Sequence, residues 1–478
     1  MASSVGFEGP VPSGPGSQPF GTAFIADVGI GVDLGAHDYV EEEYLVRGTA
    51  NLYAYNSELV RTVHTADVPY TTRMLVRRPS DPMAFSGVVQ VEPLHPSVDN
   101  ANVWTQLWRH VVRNRQAWIG ITVVPANATL MATSFDPERY GALELPDEGL
   151  GWDIVGQVTT ALHAETRFFG APTERLYLSG RSYTGTFCRV FIMDGFHEDT
   201  RLGDGRPAVD GYVIGISSGG FERGGYHPLS SVSSRLPIDD PRRVVRCRGV
   251  PVFELLSENE SETHGAVLRD DSDAPDDRYR LYQVAGASHV SLPNRVDRAV
   301  NQYQVTGERS SFPPMVEMPS TFCMDYAAAA AYDHLDRWVA DGIVPPRAGR
   351  LVLGDKDDLG RRGLAPEARP LIRDEHGNAI GGIRSTYVDV PVANYYPHSS
   401  PAAEQRYESG PILSAAMLGD LLGSMKPFED EKLRELYGSH REYVEQIVVR
   451  ADELVDEGWL LSADAEAIKA EAMATPIL

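Results

Sequence analysis

A doubly wound α/β fold with a mostly parallel sheet is the class this sequence predicts, with an antiparallel extension at its N-terminal side and a helical, irregular wrap at its C-terminal side. Two observations carry that expectation. Apolar runs at 87–92, 118–124, 175–178, 212–216, 250–256 and 281–284 are short and almost continuously hydrophobic, as strands covered on both faces are. Helical patterns alternate with them, and strands that alternate with helices build parallel sheets.

Taken in order, residues 1–20 are rich in Gly, Ser and Pro and read as a flexible arm. Residues 43–55 and 70–78 carry Val, Leu, Tyr and Thr between turn formers, which suits antiparallel strands. Between the second and third apolar runs, Trp152, Val155, Val158 and Leu162 recur at three- and four-residue steps and mark a crossover helix. After the last run, 327–341 is Ala-rich and helical, and Gly342 stands where such a helix stops. Residues 345–410, rich in Pro, Gly and Arg, read as irregular chain over the core. Tyr443, Ile447, Ala451, Leu454 and Val455 mark a helix that ends near Gly458, and Ser462 is placed to cap a final one. The expected division is an arm at 1–20, an α/β core with insertions at 21–345, and a wrap with helices packed on the core at 346–478.

A chain of 478 residues gives a soft prior of about three domains, although one decorated α/β domain also fits. With 42% apolar, 9% aromatic and 23% charged residues, the composition excludes disordered, collagen-like and coiled-coil chains. A net charge of −24 repels nucleic acid and anionic membranes, so neither is an expected partner. Cys188, Cys247 and Cys323 are too few for a disulfide framework and form no C-x-x-C pair, which favours a reduced compartment. No basic and apolar leader pattern opens the chain, and no run approaches the ~20 apolar residues of a membrane span. A soluble, cytoplasmic protein is expected.

Chemistry concentrates at 175–185. An apolar strand runs into Ser179–Gly180–Arg181–Ser182–Tyr183–Thr184–Gly185, and a helical pattern follows. A strained strand-to-helix turn of this kind exposes a serine hydroxyl above the sheet and aims the helix N-terminus at developing negative charge. Ser182 is therefore the candidate nucleophile. Gly180 precedes it by two positions, while Thr184 occupies the place two after it where glycine is usual.

A hydroxyl needs a base and the base needs an orienting acid. His289, in the small-residue loop 285–289 directly after an apolar run, is the candidate base, because catalytic loops gather at the carboxyl edge of such sheets. The loop 257–260 after the preceding strand offers Glu258 and Glu260. Glu260, about nine residues after the proline that opens that strand, is preferred and Glu258 is the alternative. An oxyanion hole needs two N–H donors. Tyr183 supplies one, and Leu94, His95 or Ser97, after the early strand, the other, with His95 preferred.

These segments resemble a large group of bacterial α/β-hydrolase-domain proteins. That group carries a G-x-S-x-S-G elbow, an arginine-containing helix and a G-F-N-E-D segment, here Gly180–Gly185, Arg189 and Gly195–Asp199. The likeness continues in Asp210–Gly211, Gly381–Arg384, Asp389–Ala393, Lys426–Phe428, Leu436–His440 and Tyr443, and so covers about residues 85–475. It implies an α/β-hydrolase fold, Ser182 as nucleophile, His289 as base and an acid from 257–260. Thr184, His197 and Glu260 depart from the group's serine, asparagine and aspartate.

Other candidates are weaker. Three adjacent residues, His197–Glu198–Asp199, do not converge as metal ligands do, so no metal is expected. Cys188 reads as buried packing, and the acidic stretch 269–277 as a solvated loop. Trp104, Trp108, Phe221, Tyr226, Tyr395 and Tyr396 could line a pocket, though core packing is the commoner fate of aromatic residues. The expected function is a serine hydrolase for a small-molecule carboxylic ester or lactone, without cofactor, and compatible with a homo-oligomer. Acyl transfer or C–C or C–N hydrolysis on the same three residues is the first alternative. A non-catalytic binding protein on the same scaffold is the second.

Overall fold

The computed structural model describes residues 5–14, 16–220, 225–263, 268–292, 296–309, 314–355, 368–402 and 419–478. The chain divides into two units. The first comprises Met1–Val252, Ala274–Arg278 and Arg295–Ser310, and the second Phe253–Asp273, Tyr279–Asn294 and Ser311–Leu478.

In the first unit, β1 (Gly6–Glu8), β2 (Tyr39–Tyr55), β3 (Arg61–Pro79), β4 (Val88–Pro93), β5 (Ala117–Ile121), β6 (Arg175–Arg181) and β7 (Gly211–Gly215) stand in the order β1-β2-β3-β5-β4-β6-β7. Pairing is antiparallel from β1 through β3 to β5 and parallel from β5 through β4 and β6 to β7. Every residue of β4, β5 and β7 is buried, as continuous apolar runs require. Helices α1 (Asn102–Arg113), α2 (Gly151–Ala164) and α3 (Tyr183–Met193) connect the parallel strands, and Trp152, Val155, Val158 and Leu162 are buried on α2.

Two expectations change here. β3 begins at Arg61 rather than near residue 70, because its first turns of chain are exposed and polar and carry no apolar alternation. The segment read as an arm is paired in part: Gly6–Glu8 lies antiparallel to Leu45–Arg47, and Phe20 is fully buried.

The order of strands creates a crevice. The chain leaves β4 for β5 on one side and then returns to β6 on the other, while Val88–Val91 of β4 pairs in parallel with Arg175–Leu178 of β6. Loops leaving the two carboxyl ends therefore diverge, and ligands of doubly wound sheets bind at such a point.

A buried ionic network underlies one side of this crevice. The Arg73 guanidinium donates to the Phe20 carbonyl at 2.7 Å, to Glu43 at 2.8 Å and to Asp99 at 2.7 Å. Glu43 also receives Arg139 at 2.6 Å and the Tyr140 hydroxyl at 2.7 Å. Ions removed from water persist only when their partners replace it.

The second unit, which takes β8 (Val252–Leu256) from its second residue on, sets it beside β9 (Tyr279–Gln283), and the Val284 N–H donates to the Leu256 carbonyl at 2.9 Å. Ile383 adds a parallel bridge to Val284. Gly382, at φ 67°, permits this, since a Cβ there would lie 2.6 Å from the Gln283 carbonyl oxygen. A small antiparallel sheet contains β10 (Met318–Pro319), β11 (Ala393–Tyr396) and, between them, β12 (Ser424–Pro427). The second unit's longer helices among the described residues are α4 (Asp325–Ala340), α5 (Asp430–Tyr437), α6 (His440–Asp456) and α7 (Ser462–Ala474), and α5, α6 and α7 share an apolar cluster that includes Tyr437, Ile447, Leu454 and Ile468. Ser439 caps α6, accepting from the Glu442 N–H while its hydroxyl donates to the Glu442 carboxylate. Ser462 falls inside α7 rather than at its cap, which Leu461 occupies. Among the described residues no helix is long and apolar enough to cross a membrane.

Replacing Arg73 with leucine leaves the buried Asp99 without its cation, and stability is expected to fall by about 3–5 kcal/mol, read as a lower denaturant midpoint for the unfolding of the first unit. An unchanged midpoint would show that the network contributes nothing.

Candidate active site

Ser182 connects β6 to α3 with φ 54° and ψ −119°, a conformation that non-glycine residues rarely adopt. Its neighbours make the turn possible. A Cβ on Gly180 would fall 2.0 Å from the Thr184 carbonyl oxygen, and one on Gly185 would fall 2.7 Å from Ser217 Cβ. Thr184, a departure from the usual small residue, has a part of its own. Its hydroxyl accepts from the Arg181 N–H at 3.0 Å and donates to the Arg181 carbonyl at 3.1 Å, tying the turn across its base. The Ser182 N–H donates to the Gly215 carbonyl at 2.9 Å, which fixes the turn to β7. Tyr183 opens α3, where amides have no carbonyl partner within the helix and favour negative charge.

The Tyr183 side chain is itself held. Its hydroxyl donates to Glu148, whose carboxyl is pushed up by burial, and its ring lies 4.0 Å from that of His227. His227 Nε2 donates to the Tyr183 carbonyl at 2.8 Å, and burial lowers the pKa of this imidazole to about 4.

Across the crevice, the amides of the loop after β4 have partners within the fold. Leu94 N–H donates to the Ile121 carbonyl at 2.8 Å, and His95 N–H donates to the Asn100 carbonyl at 3.0 Å. The Ser97 N–H donates to His95 Nδ1 at 3.1 Å. Each amide named from sequence as a second oxyanion donor, the preferred His95 included, has an acceptor: Leu94 bonds across to β5, and residues 95–100 close on themselves. Val98 at φ 49° and Asp99 at φ 57° make that closure. Buried Asp99 anchors it through Arg73, the Thr122 hydroxyl at 2.6 Å and Asn127 Nδ2 at 3.1 Å. Asn127 Nδ2 also donates to the His95 carbonyl at 3.0 Å.

In the second unit, the short helix Glu258–Thr263 follows β8 and presents three carboxylates with three separate partners. Glu260 Oε1 lies 2.6 Å from His289 Nδ1, and its other oxygen accepts from the Ser257 N–H and hydroxyl at 3.0 and 2.6 Å. Glu258 accepts from the Gly286 N–H at 2.5 Å and from Arg373 at 2.9 Å, while burial raises its pKa. Glu262 lies 2.7 Å from His398 Nε2. The histidine is thus joined to Glu260 and not to Glu258. Gly286, at φ 83°, turns the chain ahead of His289, and a Cβ there would lie 2.8 Å from the Phe322 ring. The Val290 N–H donates to the Leu421 carbonyl at 3.0 Å and fixes the far side of the loop. The sequence offered no sign of Thr184's bridging, of Arg373 or of His398. Each depends on contacts that only the folded chain supplies.

The remaining candidates take structural places. His197 Nδ1 lies 2.8 Å from the Tyr212 hydroxyl and burial lowers its pKa to about 4, while Asp199 pairs with Arg61. Among the described residues no three His, Cys, Asp or Glu side chains gather as a metal site. Cys188 is buried, which pushes its thiol up. Asp271 and Asp273 are ion-paired to Arg350 and Arg280 rather than merely solvated. Trp104 packs in the core against Trp118, Trp108 lies against His37, and buried Tyr226 donates to Asp194. Buried Tyr395 packs on Phe322, and Tyr396 lies beneath Arg373. Phe221 lies outside the described residues.

A parallel sheet with a strained serine turn at its switch point defines a protein of the α/β-hydrolase class. Residues 7–470 match the alpha/beta hydrolase domain family, and the chain belongs to it. No curated protein matches the sequence. Among solved structures, esterase Est22 is similar at 12% identity and a TM-score of 0.28, over 46% of this chain and 64% of that one. A thermostable esterase from Pseudomonas putida ECU1011 matches at 13% and 0.26, over 48% of this chain and 66% of that one. An esterase of Pyrobaculum calidifontis matches at 13% and 0.31, over 49% and 80%. The chain therefore spans just under two thirds of the first two.

Because His227 binds a proton more weakly in the fold than in the unfolded chain, its contribution is complete above about pH 6.5 and disappears as pH falls through 4, a loss of about 3 kcal/mol. His227→Gln keeps a donor toward the Tyr183 carbonyl but cannot titrate. Its stability is expected to fall less steeply between pH 6.5 and 4 in equilibrium unfolding, and an unchanged slope would exclude His227 as the source.

Proposed function

We propose that this protein is a serine hydrolase that cleaves a small carboxylic ester or lactone through an acyl-enzyme. The observation that carries the reading is the strained backbone of Ser182, a non-glycine residue at φ 54° between a buried parallel strand and a helix. The His289–Glu260 pair at 2.6 Å supports it, because a carboxylate on Nδ1 fixes the proton there and leaves Nε2 as the basic nitrogen.

On this reading Ser182 Oγ attacks the carbonyl carbon, the C=O electron pair moves onto oxygen, and the hydroxyl proton passes to His289 Nε2. The Tyr183 N–H stabilises the oxyanion at the start of α3. Collapse breaks the bond to the leaving alcohol, which takes the proton from His289. Water, deprotonated by the same nitrogen, then attacks the acyl carbon; the bond to Ser182 Oγ breaks, that oxygen takes the proton back from His289, and the acid leaves. Glu260 stabilises the imidazolium in both halves, and Glu258 acts through structure, bracing the turn at Gly286. No step calls for a cofactor, and a soluble cytoplasmic setting suits such a reaction.

Ser182→Ala is expected to abolish turnover of a p-nitrophenyl ester while leaving the unfolding transition in place. Glu260→Gln is expected to lower kcat by about 10⁴-fold, and Glu258→Gln to act mainly on stability. Turnover unchanged in Ser182→Ala would remove the serine from the mechanism, and a larger kcat loss in Glu258→Gln than in Glu260→Gln would reassign the acid.

A further inference from the structure

Glu260 has two tasks in the second unit, and one of them belongs to the helix that carries it. Ser257–Glu258–Asn259–Glu260 has the S-x-x-E spacing of a capping box, with Ser257 just ahead of the helix Glu258–Thr263. The reciprocal contacts of that motif are present. The Asn259 N–H donates to the Ser257 hydroxyl at 3.2 Å, and the Ser257 N–H donates to Glu260 Oε2 at 3.0 Å. Because the hydroxyl oxygen accepts from an amide, its own proton is directed to Glu260 Oε2, 2.6 Å away. One carboxylate oxygen thus takes two donors from Ser257, while the other faces His289 Nδ1 at 2.6 Å.

The frame around this side chain is fixed without it. Ser257 and Glu260 are fully buried. The Glu258 N–H donates to the Ala287 carbonyl at 3.0 Å and the Gly286 N–H to the Glu258 carboxylate at 2.5 Å, so the first turn of the helix is laced to the histidine loop. The Ser261 hydroxyl closes that turn on the Ser257 carbonyl at 2.7 Å. With both backbones held, the freedom left to the pair lies in the torsions of the glutamate side chain, and Ser257 removes it. Length matters for the same reason. An aspartate is shorter by one methylene, about 1.5 Å, and cannot keep both Ser257 and His289 from the same Cα.

We infer that, with Ser182, His289 and Glu260 reacting as proposed above, Ser257 is a positioning residue for the reaction, and that the acid is a glutamate because one of its oxygens is committed to the capping box. Ser257 touches no reacting atom and exchanges no proton. Its hydroxyl holds the carboxylate in the one orientation that presents Oε1 to the imidazole, so that the imidazolium is met without reorganisation when it forms.

The test is a double-mutant cycle in the turnover of a p-nitrophenyl ester by the full chain. Ser257→Ala is expected to lower kcat by about 10-fold with KM unchanged, as loss of a hydrogen bond to a carboxylate predicts. Glu260→Asp is expected to lower kcat by about 10²-fold although the carboxylate is kept. The double variant is expected to turn over no more slowly than Glu260→Asp alone, since the aspartate has already given up one of the two contacts. Ser257→Gly separates positioning from helix capping, because glycine caps a helix almost as well as serine. It is expected to share the kcat loss of Ser257→Ala while its denaturant midpoint stays near that of the wild type. A kcat loss that Ser257→Gly does not share would reduce the hydroxyl to a helix cap, and losses that multiply in the double variant would show that Ser257 acts elsewhere than on Glu260. Either result overturns the assignment, as does wild-type kcat in both Ser257 variants beside a strongly impaired Glu260→Gln. Full turnover in Glu260→Gln would instead remove the reading beneath it.

Discussion

One torsion pair carries the proposed chemistry: the backbone of Ser182, at φ 54° and ψ −119° where β6 turns into α3. Such a conformation costs about 1–3 kcal/mol and persists only when its surroundings leave no alternative. Here the constraint comes from several directions. Absent side chains at Gly180 and Gly185 let the strand and helix approach, the Thr184 hydroxyl bridges both polar groups of Arg181, and the Gly215 carbonyl takes the Ser182 N–H. The threonine that weakens the sequence motif is thus part of what keeps the turn in place.

The opposite wall of the crevice follows the same logic by different means. Residues 94–100 turn without glycine, and their shape depends on buried charge: Asp99 is held by Arg73, Thr122 and Asn127 below the loop. Arg73 in turn shares Glu43 with Arg139 and Tyr140, so strand β2 and strand β3 support a loop that follows β4. In the second unit, charge is sorted rather than shared. Glu258, Glu260 and Glu262 lie two residues apart on one short helix, yet Arg373, His289 and His398 give them distinct tasks.

Much of this was legible in the residues. Continuous apolar runs located the parallel strands because burial on both faces leaves little room for polar side chains. Period and composition located α2, α4 and α6 because each presents one face to a core. The exposed start of β3 was not legible, since its residues are mostly exposed and bear no apolar pattern. Gly6–Glu8 escaped for a similar reason: a three-residue strand beside glycine and proline has too little pattern to register. At the site, Ser182, His289 and the preference for Glu260 could be argued from chain order, but the fate of the Leu94, His95 and Ser97 amides could not. The Leu94 and His95 amides bond to backbone carbonyls, which leave no trace in side-chain identity, the Ser97 amide meets His95 Nδ1 only because the loop folds back, and the φ values of Val98 and Asp99 are not those their residue types favour.

The most direct measurement of the central claim is covalent. Folded protein exposed to a fluorophosphonate and mapped by peptide mass spectrometry is expected to carry a single adduct, on Ser182, with the labelling rate falling sharply in His289→Ala. An adduct elsewhere, or a folded protein that stays unlabelled while a known serine esterase under the same conditions reacts, would contradict the account.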